Sequence, residues 1–140
     1  MAVPPSDLPV LPKEGALVGL RVLVVEDEAL VALLLEDMLA DLGCLVIGPA
    51  MSVDVALALL DTEPFDVALI DVSLGGHELS LPVADALALK GIPFAFATGH
   101  GSGVLVGTRH AGAPLLLKPF SFAELAALVV ELGGKTRALS

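Results

Sequence analysis

From Arg21 onward, short apolar blocks alternate with polar punctuation, and the period of the blocks alternates too. Val22-Leu23-Val24-Val25 is a largely β-branched run stopped by Glu26-Asp27-Glu28, which predicts a strand. Residues 29–42 follow with Leu30, Leu34, Met38 and Leu42 at helical spacing and Gly43 as the stop. The same unit then recurs. Cys44 to Ile47 predicts a second strand closed by Gly48-Pro49, and Ser52 is placed to cap a helix reaching about Leu60. Phe65 to Ile70 predicts a third strand with Asp71 at its end, then a loop over Ser73 to Ser80 and a helix over Leu81 to Lys90. Ile92 to Ala97 and Pro114 to Leu117 predict two more strands, ending at Thr98 and Lys118. Ser121 with Glu124 three residues on is a capping box, opening a helix that should run to about Leu132 and stop at Gly133-Gly134. The weak unit is Gly101 to Ala113, whose four glycines each cost roughly 1 kcal/mol in a helix interior, so a fourth helix there should be short or irregular.

Five strands, each followed by a helix or helix candidate, imply an α/β fold: a doubly wound parallel sheet with right-handed crossovers and helices on both faces. Such strands read as near-continuous apolar runs. That accounts for an apolar content of 56% beside 17% charged residues without a membrane. The longest uncharged stretch, Gly91 to Thr108, is broken by Pro93, His100 and five glycines, whereas a spanning helix needs about 20 apolar residues in a row. Residues 1–19, with four prolines and no period, are expected to be a flexible N-terminal tail, 20–134 the domain, and 135–140 a short C-terminal tail. No basic segment followed by an apolar run marks the N-terminus as a secretion signal. The single cysteine, Cys44, can form no internal disulfide and fits a reducing, cytoplasmic setting as a packed hydrophobe. A net charge of −10, with only seven scattered Lys and Arg, argues against a nucleic-acid surface.

Ligands of open parallel sheets bind outside the carboxyl ends of the strands. Those ends carry Glu26 and Asp27, then Asp71, Thr98 and Lys118, while the opposite edge gathers only Arg21, Asp66 and Pro114. Three converging carboxylates repel one another unless a cation neutralises them, and carboxylate oxygens suit a hard ion such as Mg2+. A carboxylate can itself attack phosphorus, and phosphoryl transfer asks mainly for positioning and for positive charge on the equatorial oxygens.

The runs Val22 to Glu28 (VLVVEDE), Ala68 to Leu74 (ALIDVSL), Phe96 to Gly99 (FATG) and Leu117 to Phe120 (LKPF) resemble the receiver domains of two-component response regulators, in order and at near-standard spacing. The resemblance implies a flavodoxin-like sheet of strand order 2-1-3-4-5. It also implies an aspartyl phosphate formed on Asp71 by transfer from a histidine kinase or phosphotransfer protein. Asp27 matches a direct metal ligand, Glu26 the neighbouring acid, and Ser73 the main-chain carbonyl that completes a Mg2+ site with Asp71. Thr98 matches the switch hydroxyl, Lys118 the phosphate-binding lysine and Pro119 the proline that follows a cis peptide. Pro93 to Gly99 (PFAFATG) is similar to the FAT-GUY group of single-domain regulators, which pairs with HWE-type kinases; His100-Gly101 departs from its ending. Leu115 stands where receivers carry an aromatic switch residue, and the chain has no Tyr or Trp. Ordering of the glycine-rich segment after Thr98 is the expected substitute.

On this reading the chain is a bacterial phosphoprotein that signals by protein contact or serves as a phosphate sink or relay, with no turnover of substrate. With 22 residues after Lys118, no output domain is expected. Two alternatives stay open. One is a receiver-like interaction module that is never phosphorylated. The other is an aspartyl-phosphate hydrolase, which would need an acid two residues after Asp71, where Ser73 stands. His77, His100 and His110 share no spacing and are read as neither metal ligands nor relay sites; Arg21, Asp66 and the phenylalanines are read as structural.

Overall fold

The computed structural model describes residues 17–74, 78–99 and 105–138. Its strands are β1 (Arg21–Val25), β2 (Leu45–Ala50), β3 (Val67–Asp71), β4 (Ser73–Leu74), β5 (Glu78–Leu79), β6 (Phe94–Thr98) and β7 (Leu115–Leu117). Its helices are α1 (Ala29–Asp41), α2 (Val53–Thr62), α3 (Leu81–Leu89) and α4 (Phe122–Ala138). Five strands form one parallel sheet in the order β2-β1-β3-β6-β7, the doubly wound order expected; β4 and β5 pair separately as an antiparallel hairpin.

Strand alternation divides the core in two. Val22 and Val24 of β1, with Val67 and Leu69 of β3, face Leu35 and Leu39 of α1 and Leu125, Val129 and Leu132 of α4. Leu23 and Val25, with Ala68, Ile70 and Phe96, face Val53, Ala56 and Leu60 of α2 and Val83, Ala84 and Leu87 of α3. Both sides of each central strand are therefore buried, which is why these strands lack polar residues until their ends. Ser52 caps α2, its hydroxyl accepting from the Val55 amide at 3.2 Å. Ser121 and Glu124 cap α4 reciprocally, at 3.0 Å in each direction.

Four expectations are corrected. In α1 the stripe Leu30, Leu34, Met38 and Leu42 is only half right: Met38 and Leu42 pack against the core, but the helix's buried positions are Ala32, Leu35 and Leu39, while Leu30 is 82% exposed and Leu34 also faces solvent. The helix is apolar nearly all round, so periodicity could not choose its inner face. Second, β2 does not close at Gly48-Pro49 but runs on to Ala50 past an irregularity in its pairing with β1: Leu23 pairs with Ile47, yet Val25 pairs with Ala50. Gly48 has φ +97°, and a Cβ there would lie 2.7 Å from the Ala50 amide nitrogen, so only glycine fits. The proline is tolerated because β2 is an edge strand. Third, the Ser73–Ser80 loop contains the β4–β5 hairpin. Fourth, α4 continues through Gly133-Gly134 to Ala138. Gly133 packs close to Leu17 and Leu20, so it serves as a small contact surface and not as a stop.

Residues 105–113 form successive turns without a regular helix, as the glycines there suggested; 100–104 lie outside the described residues. Most of the expected N-terminal tail lies outside them too, but Leu17 is already buried in the core. No helix among the described residues is long and apolar enough to cross a membrane.

Candidate functional site

The site forms where apolar strands stop. Leaving β1, the Glu26 amide donates to the Ala50 carbonyl at 2.9 Å, a bond made possible by the extra residue in β2. Leaving β3, the Val72 amide donates to the Ala97 carbonyl at 3.1 Å, and at the end of β7 the Lys118 amide donates to the Thr98 carbonyl at 2.8 Å. Main-chain bonds thus hold Glu26, Asp71, Thr98 and Lys118 at one edge of the sheet. The Lys118–Pro119 peptide is cis.

Lys118 Nζ lies 2.7 Å from Glu26 Oε1 and 3.0 Å from Asp71 Oδ2, donating to both. The second oxygen of each acid is held by the turn that follows it. The Glu28 amide donates to Glu26 Oε2 at 3.2 Å, and the Ser73 amide to Asp71 Oδ1 at 3.3 Å. Glu26 is only 1% exposed; above it a cleft of about 240 Å³ is lined by Asp27, Glu28, Asp71, Ser73, Thr98, Gly99 and Lys118. Glu26, Asp27 and Asp71 each offer a carboxylate oxygen within 4.8 Å of the others. Every residue singled out at the strand ends therefore lies in or directly beneath one cleft. Glu28 and Gly99 join it; only the acidic run 26–28 hinted at the former.

Burial raises the Glu26 carboxyl to about 7; Lys118 opposes that shift and Asp71 adds to it. Burial also works against the Lys118 charge, but its hydrogen bonds and attraction to Glu26 and Asp71 outweigh it and raise the ammonium. Fully ionised, three acids and one ammonium leave a charge of −2, which a divalent cation would neutralise. The all-oxygen donor set is chemically suited to Mg2+.

The other residues weighed from sequence fall elsewhere. Arg21 is paired with Asp66 at 3.1 Å at the far edge of the sheet. His110 is buried against Asp85, whereas His77 and His100 lie outside the described residues. Glu78, not singled out from sequence, accepts from the Val53 amide at 3.0 Å and ties the hairpin beside the cleft to the start of α2.

The sequence model of the response regulator receiver domain matches residues 22–130. The chain is 34% identical over 113 residues to transcriptional regulatory protein PdtaR of Mycobacterium tuberculosis, covering 79% of this chain and 55% of that protein. It is 32% identical over 111 residues to the phyllosphere-induced regulator PhyR of Methylorubrum extorquens, covering 78% and 42%. The chain thus spans about half the length of these relatives. The solution structure of SdrG from Sphingomonas melonis superimposes with a TM-score of 0.71 at 44% identity, covering 84% of this chain and 97% of SdrG.

Proposed function

This chain belongs to the response regulator receiver family, and on that premise we propose that it accepts a phosphoryl group on Asp71 from the phosphohistidine of a kinase or phosphotransfer protein. One observation carries the reading: the Asp71 carboxylate sits in a cleft with the Lys118 ammonium at 3.0 Å and with oxygens of two further carboxylates, Glu26 and Asp27, within 4.8 Å. A carboxylate so placed is a nucleophile beside a fixed cation and a set of metal-binding oxygens.

In the transfer, an Asp71 oxygen bonds to phosphorus as the phosphorus–nitrogen bond of the donor breaks, and the imidazole departs with the electron pair. Lys118, partly buried beside Asp71, turns one of its N–H groups to a phosphoryl oxygen, and the hydroxyl of Thr98, which lines the same cleft, meets another. Glu26, Asp27, Asp71 and the Ser73 main-chain carbonyl would hold Mg2+, which supplies charge neutralisation for the transferring group. The turn amides of Glu28 and Ser73 keep the carboxylates oriented.

The product is a signalling state and not a released compound, so the chain is a phosphoacceptor and not a turnover enzyme. Its output is a protein contact, or it drains or relays phosphoryl groups, in the cytoplasm where kinases face their partners. The PFAFATG run points to a kinase of the HWE class as donor. Transfer from such a kinase carrying labelled phosphohistidine is expected to label the wild-type chain only with Mg2+ and to leave Asp71→Asn unlabelled. Equal labelling of Asp71→Asn would remove the assignment.

A further inference from the structure

The connection from β6 to β7 lacks a regular helix in its described half, yet it is not loosely seated. Leu105 is buried in the core between the sheet and helices α2 and α3. Five residues on, His110 is only 6% exposed, and its Nε2 lies 2.7 Å from Asp85 Oδ1 on α3. An ionised carboxylate can only accept, so the imidazole carries its proton on Nε2 and donates. The Arg109 guanidinium stands 3.7 Å from the same carboxylate oxygen. The other side of the imidazole is aromatic in its contacts: its ring centre lies 5.6 Å from that of Phe94 and 6.1 Å from that of Phe96, both edge-on.

Phe94, Phe96 and Thr98 are alternate residues of β6 and so project to one face of the sheet. Across from Phe96, β7 presents Leu115, where an aromatic side chain would otherwise have been available to the row. His110 supplies an aromatic ring to this row from the connection instead of from the strand. Thr98 continues the face of β6 on which the His110 ring packs, and His110 is in turn pinned to α3. A shift of Thr98 toward a phosphoryl oxygen therefore reaches the imidazole through the row of side chains beneath it. The pin is also breakable, because Asp85 is half exposed and can exchange the imidazole for water.

We propose that Asp85 and His110 form a latch that holds the β6–β7 connection against α3 in the unphosphorylated protein and is strained open when Asp71 is phosphorylated. This rests on the phosphoacceptor reading above and adds the element that transmits it. Coupling between two sites is reciprocal, so a latch opposed to the phosphorylated state must weaken binding of a phosphoryl mimic by the factor the mimic uses to open it.

The test is the affinity of the full chain for beryllofluoride with Mg2+, in the wild type, Asp85→Ala and His110→Phe. The phenylalanine keeps the ring packing and removes only the hydrogen bond; the alanine acts on a half-exposed side chain and leaves the core intact. Both variants are expected to bind roughly five-fold or more tightly than the wild type. The wild-type His110 Nε2 nitrogen resonance is expected to move when the mimic binds. Unchanged or weaker binding by Asp85→Ala, folded by circular dichroism, overturns the latch. A wild type that binds no beryllofluoride removes the phosphoacceptor reading and the latch with it; binding of equal strength in all three removes the latch alone.

Discussion

Glu26 and Lys118 set the chemistry of the cleft at the scale of single residues. A carboxylate that is 1% exposed survives there because an ammonium lies 2.7 Å away and a turn amide holds its second oxygen. Its pKa is raised by burial to about 7, so the folded chain holds that proton more tightly than the unfolded chain, whose value lies near 4.5. The sign follows from linkage: without metal, stability falls as pH rises from about 4.5 to about 7, because charging Glu26 in place costs more than charging it in water. The same proton competes with a cation. Mg2+ binding followed by calorimetry is therefore expected to tighten between about pH 6 and about pH 8 with release of a proton, and Glu26→Gln should flatten that dependence. Replacing Lys118 by alanine leaves Glu26 and Asp71 facing each other without their shared cation. Phosphotransfer to Asp71 in that variant is expected to slow by about 100-fold or more in a stopped-flow assay.

Elements bring these residues together, and here the sequence was legible in part. Strand ends could be read because each apolar run stops at a polar residue the core cannot accept: Glu26 after Val25, Asp71 after Ile70, Thr98 after Ala97 and Lys118 after Leu117. That order also fixed the crossovers and hence the common edge. Where every position is apolar the same argument loses its grip. In α1, Leu30 and Leu34 are as apolar as Leu35 and Leu39, and only packing against β1 and β3 selects the latter. Leu35→Ala is accordingly expected to cost about 2–5 kcal/mol in urea unfolding, and Leu30→Ala no more than about 0.5 kcal/mol. Gly48-Pro49 has the chemistry of a strand end, yet the strand resumes, because its extra residue lets Ala50 reach the Glu26 amide. Gly48→Ala is expected to destabilise by about 1–3 kcal/mol, through a left-handed backbone and a Cβ pressed on the Ala50 amide, and to weaken Mg2+ binding in the same titration. The pairing of Asp85 with His110 joins positions 25 residues apart and left no periodic trace to read.

For the molecule as a whole, one sheet with a separate core on each face forms a rigid platform under an acidic edge. The chain carries a net charge of −10, and its site gathers three acids within 4.8 Å, so a cation bound there would be linked to stability. Mg2+ held by the acids proposed for it is expected to raise the melting temperature progressively with concentration, and Asp71→Asn, which removes one of those charged oxygens, should reduce that rise. The match over residues 22–130 places this platform in the response regulator receiver family, and the function proposed for it turns on a single carboxylate. The direct measurement is peptide mapping by mass spectrometry after incubation with acetyl phosphate and Mg2+. One phosphoryl group on Asp71, absent without Mg2+ and absent in Asp71→Asn, is the predicted result. A phosphoryl group found on another residue, or incorporated equally by Asp71→Asn, would contradict it.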